Sequence, residues 1–203
     1  MTWLYELDQS TFRAIHVGLR SDWLSPIFWL FSYSGLSQIQ AAVALLMLRW
    51  PRTKHYTLPL LVTILVSGLI FAQGFKKLLI SRERPSNLAI SVPQEGWLAN
   101  SFPSGHTTTA FAFAFMLVLM TWGSKNAVIG RWAIVWAFMV GVSRVYRGVH
   151  WPTDALAGAC GGIFCSCLIY LVLRRMGKTL HLDQPTATLS GAEAARDISP
   201  QGS

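Results

Sequence analysis

Residues 102–115, FPSGHTTTAFAFAF, pass from a polar turn into an apolar segment within a few positions. The apolar segment continues to residue 123, and two further blocks of the same character occupy residues 56–75 and 154–173. Blocks near 20 apolar residues have about the length that a helix needs to cross a bilayer. The sequence therefore predicts an integral membrane protein of the all-α class.

The composition agrees with this prediction. Of the 203 residues, 52% are hydrophobic and 13% are charged, and this apolar fraction is above the usual range of soluble domains. The net charge of +8 would suit nucleic acid, but the basic residues lie between the apolar blocks, as the flanks of membrane helices do. We expect membrane lipids as partners, no nucleic acid and no obligatory protein partner. Cys160, Cys165 and Cys167 fall in the last block and indicate small membrane-helix residues rather than a disulfide framework or a metal site.

We expect a bundle of six membrane-spanning helices preceded by a helix on the membrane surface. The predicted spans are 23–35, 37–50, 57–75, 106–123, 127–144 and 153–174. A polar patch at 32–38 favours a break between the first two, and one long tilted helix over 23–50 is the alternative. An amphipathic interfacial helix within 1–22 is predicted from apolar residues at positions 3, 4, 7, 12, 15 and 19. Residues 177–203 are typical of a disordered tail, which leaves 23–176 as the membrane domain.

Lysine and arginine in the short loops indicate which face is cytoplasmic. Their distribution favours a cytoplasmic N-terminus, 51–55 loop and C-terminus. The opposite face also carries basic residues, namely Lys76, Lys77, Arg82, Arg84, Arg144 and Arg147. We attribute these to a binding site and exclude them from the count. The protein is then expected in the plasma or inner membrane, with that site on the extracytoplasmic face.

Three polar stretches meet on one membrane face if the spans alternate in direction. They are KLLISRERP (77–85), PSGH (103–106) and SRVYRGVHWPTD (143–154). Each alone has an ordinary explanation, as a stiffened loop, a capped helix start or an interfacial His–Asp pair. Together they bring cations, histidines and a carboxylate to two helix N-termini. Such a set binds a phosphate and stabilises the charge that grows on it during reaction.

His106, His150 and Asp154 would also suit a metal ion. Asp154 follows His150 by four residues, a spacing that puts both side chains on one helix face, where a carboxylate orients an imidazole. The three cations on that face are Lys77, Arg84 and Arg144. They would repel a metal ion and attract an oxyanion, so we predict an anion site with no metal and no cofactor.

The three stretches resemble the signature of the type 2 phosphatidic acid phosphatase superfamily, which includes bacterial acid phosphatases and vanadium haloperoxidases. Its pattern is K-x6-RP, then PSGH, then SR-x5-H-x3-D. Every position is met here, by Lys77, Arg84 and Pro85, by Pro103, Ser104, Gly105 and His106, and by Ser143, Arg144, His150 and Asp154. The spans are similar to the membrane branch of the family, which implies a compact six-helix bundle. Arg82, Glu83 and Arg147 occupy variable positions, and we assign them no catalytic role.

The resemblance implies metal-independent hydrolysis of a lipid phosphate or diphosphate. It implies that His150 attacks phosphorus and carries a transient phosphohistidine, that Asp154 orients His150, and that His106 protonates the leaving oxygen. The phosphate-binding residues that it implies are Lys77, Arg84, Ser104, Gly105 and Arg144. Small bacterial members suggest undecaprenyl diphosphate, phosphatidylglycerol phosphate or phosphatidic acid as substrate, with a slight preference for the first. We expect the 86–102 stretch to form the lid or entrance.

Two other functions stay open at this stage. A lipid phosphotransferase would use the same phosphohistidine and pass the phosphate to a lipid or sugar, which product analysis would reveal. A transporter or scaffold that binds anionic lipid without turnover would need the cations but neither a nucleophile nor an acid. Haloperoxidase activity does not explain the membrane spans.

Overall fold

The computed structural model describes residues 2–78, 82–88, 91, 94 and 100–177. In this part of the chain the α-helices are α1 (Thr2–His16), α2 (Leu24–Ser34), α3 (Ser37–Leu46), α4 (Lys54–Leu65), α5 (Gln73–Leu78), α6 (Gly105–Thr121), α7 (Ala127–Tyr146) and α8 (Pro152–Arg175). A π-helical segment, Val66–Ala72, joins α4 to α5, and short 3-10 helices lie at Met47–Arg49 and Pro85–Asn87. The described residues contain no strand, so the all-α prediction is confirmed.

Within the described residues, three helical runs are long and apolar enough to cross a membrane. They are Lys54–Phe75, Ala127–Tyr146 and Pro152–Arg175, with mean hydropathies of 2.0, 1.4 and 2.2. A fourth apolar helix, α6, has 17 residues. The helices α2 and α3–Arg49 together are apolar enough but are bent by 67° at the break between them. These lengths support the predicted integral membrane protein.

Helices α2 and α3 together cross the bundle once, from one end to the other, with a break between them. At the start of α2, Ser25 Oγ lies 3.1 Å from the hydroxyl of Tyr146 at the end of α7. Near the end of α3, the carbonyl of Ala44 accepts a hydrogen bond of 2.9 Å from Thr57 at the start of α4. The 11 residues of α2 extend only about 16 Å, roughly half of a hydrocarbon core.

Six separate spans are therefore not confirmed. The described helices make five traverses of the bundle, through α2–α3, α4–α5, α6, α7 and α8. The break between α2 and α3 lies at Gly35, where a Cβ atom would stand 2.5 Å from Val140 Cγ1 of α7. The close approach of α7 explains why glycine occupies the bend.

Helix α1 lies at the end of the bundle where α7 ends and α8 begins. His16 Nδ1 is 2.7 Å from the carbonyl oxygen of Tyr146, and Asp8 Oδ1 accepts a hydrogen bond of 2.9 Å from the backbone N–H of Thr153. The expectation that the N-terminus shares a face with the 51–55 loop and the C-terminus is therefore wrong. An odd number of traverses places the two ends of the described chain at opposite ends of the bundle.

Helix α6 is central and packs closely on α8 because α8 presents glycine to it. A Cβ atom at Gly158 would stand 2.7 Å from the Ser104 carbonyl oxygen, and one at Gly162 would stand 2.3 Å from the Thr108 carbonyl oxygen. Ser166, one turn further, donates a hydrogen bond of 2.7 Å to the carbonyl of Ala112. Small residues and interhelical hydrogen bonds of this kind hold membrane helices together. The three cysteines of α8 are free thiols.

Two predictions fall largely outside the described residues. Of the predicted disordered tail, 177–203, only Gly177 is described. Of the predicted entrance, 86–102, residues 89, 90, 92, 93 and 95–99 are outside the description. Within the described remainder, the backbone N–H of Gln94 donates to the Arg147 carbonyl at 3.2 Å, which joins this stretch to the loop between α7 and α8.

Candidate active site

The three motif stretches meet at one end of the bundle, around a cleft of about 690 Å³. Arg84, His106, Arg144 and His150 line the cleft together with Gly105. The rest of the lining is mostly apolar. It comes from Leu36 just before α3, Ala41 in α3, Leu61, Val62, Ile64 and Leu65 in α4, and Leu69 in the π-helical segment, with Ser37, Gln38, Gln73 and Thr109 as its polar members. One continuous space therefore has a cationic end and a hydrocarbon-like wall.

His150 lies in the loop between α7 and α8, and it is 2% exposed. Its Nε2 is 3.2 Å from Arg84 Nη1, and its Nδ1 is 3.5 Å from Asp154 Oδ2. A guanidinium group has donors only, so Nε2 is the acceptor in the contact with Arg84. The ring proton is then on Nδ1, facing the carboxylate. In this tautomer the lone pair is on Nε2, and it points toward the cations of the cleft.

The first turn of α8 positions Asp154. Pro152 occupies the first helical position, where its missing N–H is no loss. Two residues later, Asp154 Oδ2 accepts a hydrogen bond of 2.9 Å from the backbone N–H of Trp151, the contact by which an acidic residue in the first turn reaches back to a helix cap. Asp154 is 0% exposed. The same oxygen that caps the helix is therefore held toward His150.

Arg84 is held over His150 by backbone carbonyls. Its Nη1 donates to the Val149 carbonyl at 2.8 Å, and its Nη2 donates to the Asn100 carbonyl at 3.1 Å. Arg84 is buried. Because Val149 precedes His150, this arginine of the first motif is tied directly to the loop of the third.

Arg144 supplies the second guanidinium of the cleft, from the last turn of α7. Its Nη1 hydrogen-bonds the hydroxyl of Ser32 in α2, and both residues are buried. Ser32 is a site residue that our sequence interpretation missed. It lies within the polar patch at 32–38, but the patch indicated only a break in the chain.

Helix α6 begins at Gly105, and His106 in its first turn is half-buried at the cleft wall. Ser104 occupies the N-cap position without capping the helix through its side chain. Instead its hydroxyl accepts a hydrogen bond of 2.9 Å from Thr107, and its backbone N–H donates to the Asp154 carbonyl at 3.0 Å. Ser104 therefore ties α6 to α8, while Gly105 and His106 reach the cleft.

Lys77 is the one predicted site residue whose side chain lies outside the description. Its backbone belongs to α5. The described side chains at the cationic end are thus two guanidinium groups and two imidazoles, with the carboxylate behind His150. No group of three or more His, Cys, Asp or Glu side chains in the described ranges is placed to hold a metal ion. The arrangement can hold a phosphate and present an imidazole nitrogen to it.

Arg82, to which the sequence interpretation gives no catalytic role, contacts Asp154 directly. Its Nη1 donates to Asp154 Oδ1 at 2.7 Å and to Thr153 Oγ1 at 2.7 Å, and its guanidinium lies 5.4 Å from the centre of the Trp151 ring. Its Nη2 forms an ion pair with Asp8 of α1. Asp8 lies 74 positions before Arg82, so no local pattern signals this contact.

The sequence matches a known protein family. Residues 56–178 match the profile of the PAP2 superfamily, in which PAP2 stands for type 2 phosphatidic acid phosphatase. The match covers more than half of the chain and contains all three motifs. The chain belongs to the PAP2 superfamily. The resemblance seen in the motifs is thereby confirmed.

Three known proteins show how far the likeness extends. Lipid A 4′-phosphatase of Bacteroides thetaiotaomicron is 27% identical over 143 residues, which cover 67% of this chain and 62% of that protein. YbjG of Escherichia coli (strain K12), named as a candidate undecaprenyl-diphosphatase, is 27% identical over 154 residues, which cover 75% of each protein. The crystal structure of a transmembrane PAP2-type phosphatidylglycerolphosphate phosphatase from Bacillus subtilis covers 86% of this chain and 88% of its own, with a TM-score of 0.72 and 23% identity. This chain therefore shares the fold of that transmembrane protein.

Proposed function

We propose that this PAP2 protein is a membrane-embedded phosphatase that hydrolyses a lipid phosphate or diphosphate, without a metal, through a phosphohistidine at His150. The placement of His150 carries the proposal, because Nδ1 faces Asp154 at 3.5 Å while Nε2 faces Arg84 at 3.2 Å. Covalent catalysis is favoured when a nucleophile is oriented by a third group and lies beside a cation that can hold the phosphate.

In the first step the phosphate enters the cleft and accepts the Arg84 Nη1 N–H, so that the hydrogen bond from Arg84 to His150 Nε2 breaks and the Nε2 lone pair becomes free. Arg84, Arg144 and Lys77 hold its oxygens, and the Gly105 N–H at the start of α6 adds a donor. The His150 Nε2 lone pair attacks phosphorus, a P–N bond forms, and the bond from phosphorus to the leaving oxygen breaks. This oxygen belongs to the lipid in a monoester and to the lipid-linked phosphate in a diphosphate. His106 gives that oxygen its proton, and the Asp154 carboxylate stabilises the positive charge that develops on the imidazole.

In the second step His106, now neutral, accepts a proton from a water molecule. The water oxygen attacks phosphorus, the P–N bond breaks, and inorganic phosphate leaves. His150 returns to its neutral form with the proton on Nδ1. Each histidine thus regains its starting state. Ser104 supports the geometry by fixing the start of α6 against α8.

A lipid substrate suits the apolar wall of the cleft. The headgroup phosphate would lie at the cationic end, and the hydrocarbon chain would lie along α3, α4 and the π-helical segment. Buried apolar area of this kind contributes about 25 cal/mol per Å². Substrate candidates are undecaprenyl diphosphate, phosphatidylglycerol phosphate and phosphatidic acid, to which the names of the relatives add lipid A.

For the topology we propose five traverses, with the site at the extracytoplasmic face of the plasma or inner membrane. The end opposite the site carries basic residues suited to a cytoplasmic face, namely Arg49, Arg52, Lys54, Lys125, Arg174 and Arg175. At the site end, α1 would lie in the membrane interface. Its Trp3, Leu4 and Leu7 are exposed, as a lipid-facing surface requires.

The decisive experiment is phosphate release by the purified protein in detergent with EDTA. The four lipids are compared side by side, with His150→Ala as the blank. We expect release that survives EDTA and disappears in the variant, together with an acid-labile phosphoenzyme in the wild type. Wild-type turnover by His150→Ala, or a requirement for a divalent metal, would refute the mechanism. Transfer of labelled phosphate to an acceptor without release would replace hydrolysis by phosphotransfer.

The role of His106 is tested separately with two leaving groups. His106→Asn should lose activity on lipid phosphates, because an alkoxide leaves poorly without a proton. The variant should keep much more of its first-step rate on an aryl phosphate, measured as the burst of phenol release in a single turnover, because a phenolate leaves without protonation. His150→Ala should show no burst on either substrate. Equal losses of the first-step rate by His106→Asn on the two substrates would exclude a general-acid role.

A further inference from the structure

The two oxygens of the Asp154 carboxylate have different partners. Oδ2 faces His150 Nδ1 and the Trp151 N–H, whereas Oδ1 accepts the 2.7 Å hydrogen bond from Arg82. With both oxygens engaged, the carboxylate has one orientation. Arg82 therefore fixes the orientation of the Asp154 carboxylate relative to the His150 ring.

Asp8 of α1 holds Arg82 from the other side. Its Oδ2 pairs with Arg82 Nη2 and accepts a hydrogen bond of 2.8 Å from Thr153 Oγ1, while its Oδ1 accepts the N–H of Thr153 at 2.9 Å. The Asp8 side chain is 2% exposed and that of Arg82 is 25% exposed. A buried carboxylate is tolerated only where it is paired and hydrogen-bonded, so Asp8 is bound into the site end rather than lying on its surface.

The charges explain why two carboxylates are present. Arg82 alone beside Asp154 would form a neutral pair and would weaken the field of the carboxylate at His150. One guanidinium between two carboxylates leaves the group with a net charge of −1. In a buried, poorly screened setting this charge acts strongly on its neighbours, and it favours the positive imidazole that forms when His150 attacks phosphorus.

We propose that Asp8 and Arg82 are positioning residues for the phosphatase reaction, acting on His150 through Asp154. Arg82 orients the carboxylate, and Asp8 both holds Arg82 and restores the negative charge that Arg82 offsets. Helix α1 is then part of the catalytic apparatus as well as a membrane-surface element. The inference rests on the proposed function.

The first test compares Asp8→Asn with Glu6→Gln, which removes the same charge from an exposed position of the same helix. Asp8→Asn should lower kcat roughly 10- to 100-fold, the range known for outer groups that orient metal-binding side chains, with KM changed less than about twofold. Glu6→Gln should match the wild type. Arg82→Lys should fall like Asp8→Asn, because an ammonium group cannot bridge two carboxylates as a planar guanidinium does.

A second test separates positioning from a merely structural role. Asp8→Asn is introduced into the wild type and into Asp154→Asn, and single-turnover rates are measured with labelled lipid. If Asp8 acts through Asp154, the rate factor for Asp8→Asn should fall to about one in the Asp154→Asn background. Equal factors in both backgrounds, or a wild-type kcat for Asp8→Asn, would overturn the inference.

Thr153→Val covers the case in which Asp8→Asn fails to fold, which thermal unfolding in detergent would reveal. It removes only the hydroxyl that contacts Asp8 and Arg82. Its kcat should fall less than that of Asp8→Asn, and again only when Asp154 is present. Failure of the proposed function has a different result, because the wild type itself would then release no phosphate. That result would overturn both conclusions.

Discussion

Arg84 Nη1 lies 3.2 Å from His150 Nε2, the atom that the proposed mechanism directs at phosphorus. The same guanidinium nitrogen lies 2.8 Å from the carbonyl oxygen of Val149, the residue before the histidine. The cation that would bind the phosphate and the nucleophile that would attack it are therefore held together before a substrate arrives. Such prior alignment lowers the entropy that the reaction must lose.

Arg84→Lys should lower kcat/KM by about 100-fold, or about 2.7 kcal/mol. Lysine keeps the charge but cannot contact the carbonyls of Val149 and Asn100 and the ring of His150 at once. Inhibition by inorganic vanadate, a phosphate mimic, should weaken in parallel. The control is Arg13→Lys, at an exposed position of α1, which should leave both quantities unchanged. Unaltered vanadate inhibition in Arg84→Lys would show that Arg84 does not bind the phosphate.

Ser32→Ala should lower kcat/KM roughly tenfold, mainly through KM, because Arg144 loses the hydroxyl that holds its Nη1. The matched control is Ser34→Ala on the same helix, whose hydroxyl accepts a 2.9 Å hydrogen bond from Trp136 instead. That variant should keep wild-type kinetics even if it unfolds at a slightly lower temperature. Equal kinetic losses in the two variants would mean that the effect comes from α2 as a whole.

Gly162→Ala should destabilise the bundle, since the new methyl group would stand 2.3 Å from the Thr108 carbonyl oxygen and 2.8 Å from the Ala112 backbone nitrogen. Backbone atoms cannot move aside as a side chain can, so we expect a loss of about 1–3 kcal/mol. Gly74→Ala in α5 meets no atom of the described residues within 4 Å and should be neutral or, through the higher helix propensity of alanine, slightly stabilising. The comparison is made by thermal unfolding in detergent. A Gly162→Ala midpoint equal to that of Gly74→Ala would contradict the close packing of α6 on α8.

The predicted spans coincide to within a few residues with apolar helical runs of the described chain, because long apolar blocks leave little freedom in where such a run lies. Hydropathy did not reveal how α2 and α3 share one traverse. Both helices are apolar, and the bend depends on Gly35 meeting Val140 of α7, a contact between distant parts of the chain. Counting α2 and α3 as two spans led both to the predicted total of six spans and to the incorrect predicted position of the N-terminus.

The motifs placed Arg84, His106, Arg144 and His150 around one cleft because their spacing within each stretch is fixed by helix starts and ends. The supporting residues could not be found in the same way. Ser32 and Asp8 reach the site from α2 and α1, outside the stretches that carry the pattern. Their roles depend on tertiary contacts, which a single sequence does not record.

Ala41→Phe should discriminate between lipid and soluble substrates, because residue 41 lies on the apolar wall of the cleft. A phenyl ring there would occupy the space proposed for the hydrocarbon chain while leaving the cationic end intact. We expect KM for a long-chain lipid phosphate to rise about tenfold or more, since about 1.4 kcal/mol of apolar contact accounts for that factor. KM for a short aryl phosphate should stay near the wild-type value. Ala42→Phe adds the same ring one position along, on an exposed face of α3, and should affect neither substrate. Equal effects of Ala41→Phe on both substrates would indicate that the ring disturbs the catalytic end, and no effect on either would place the lipid chain elsewhere.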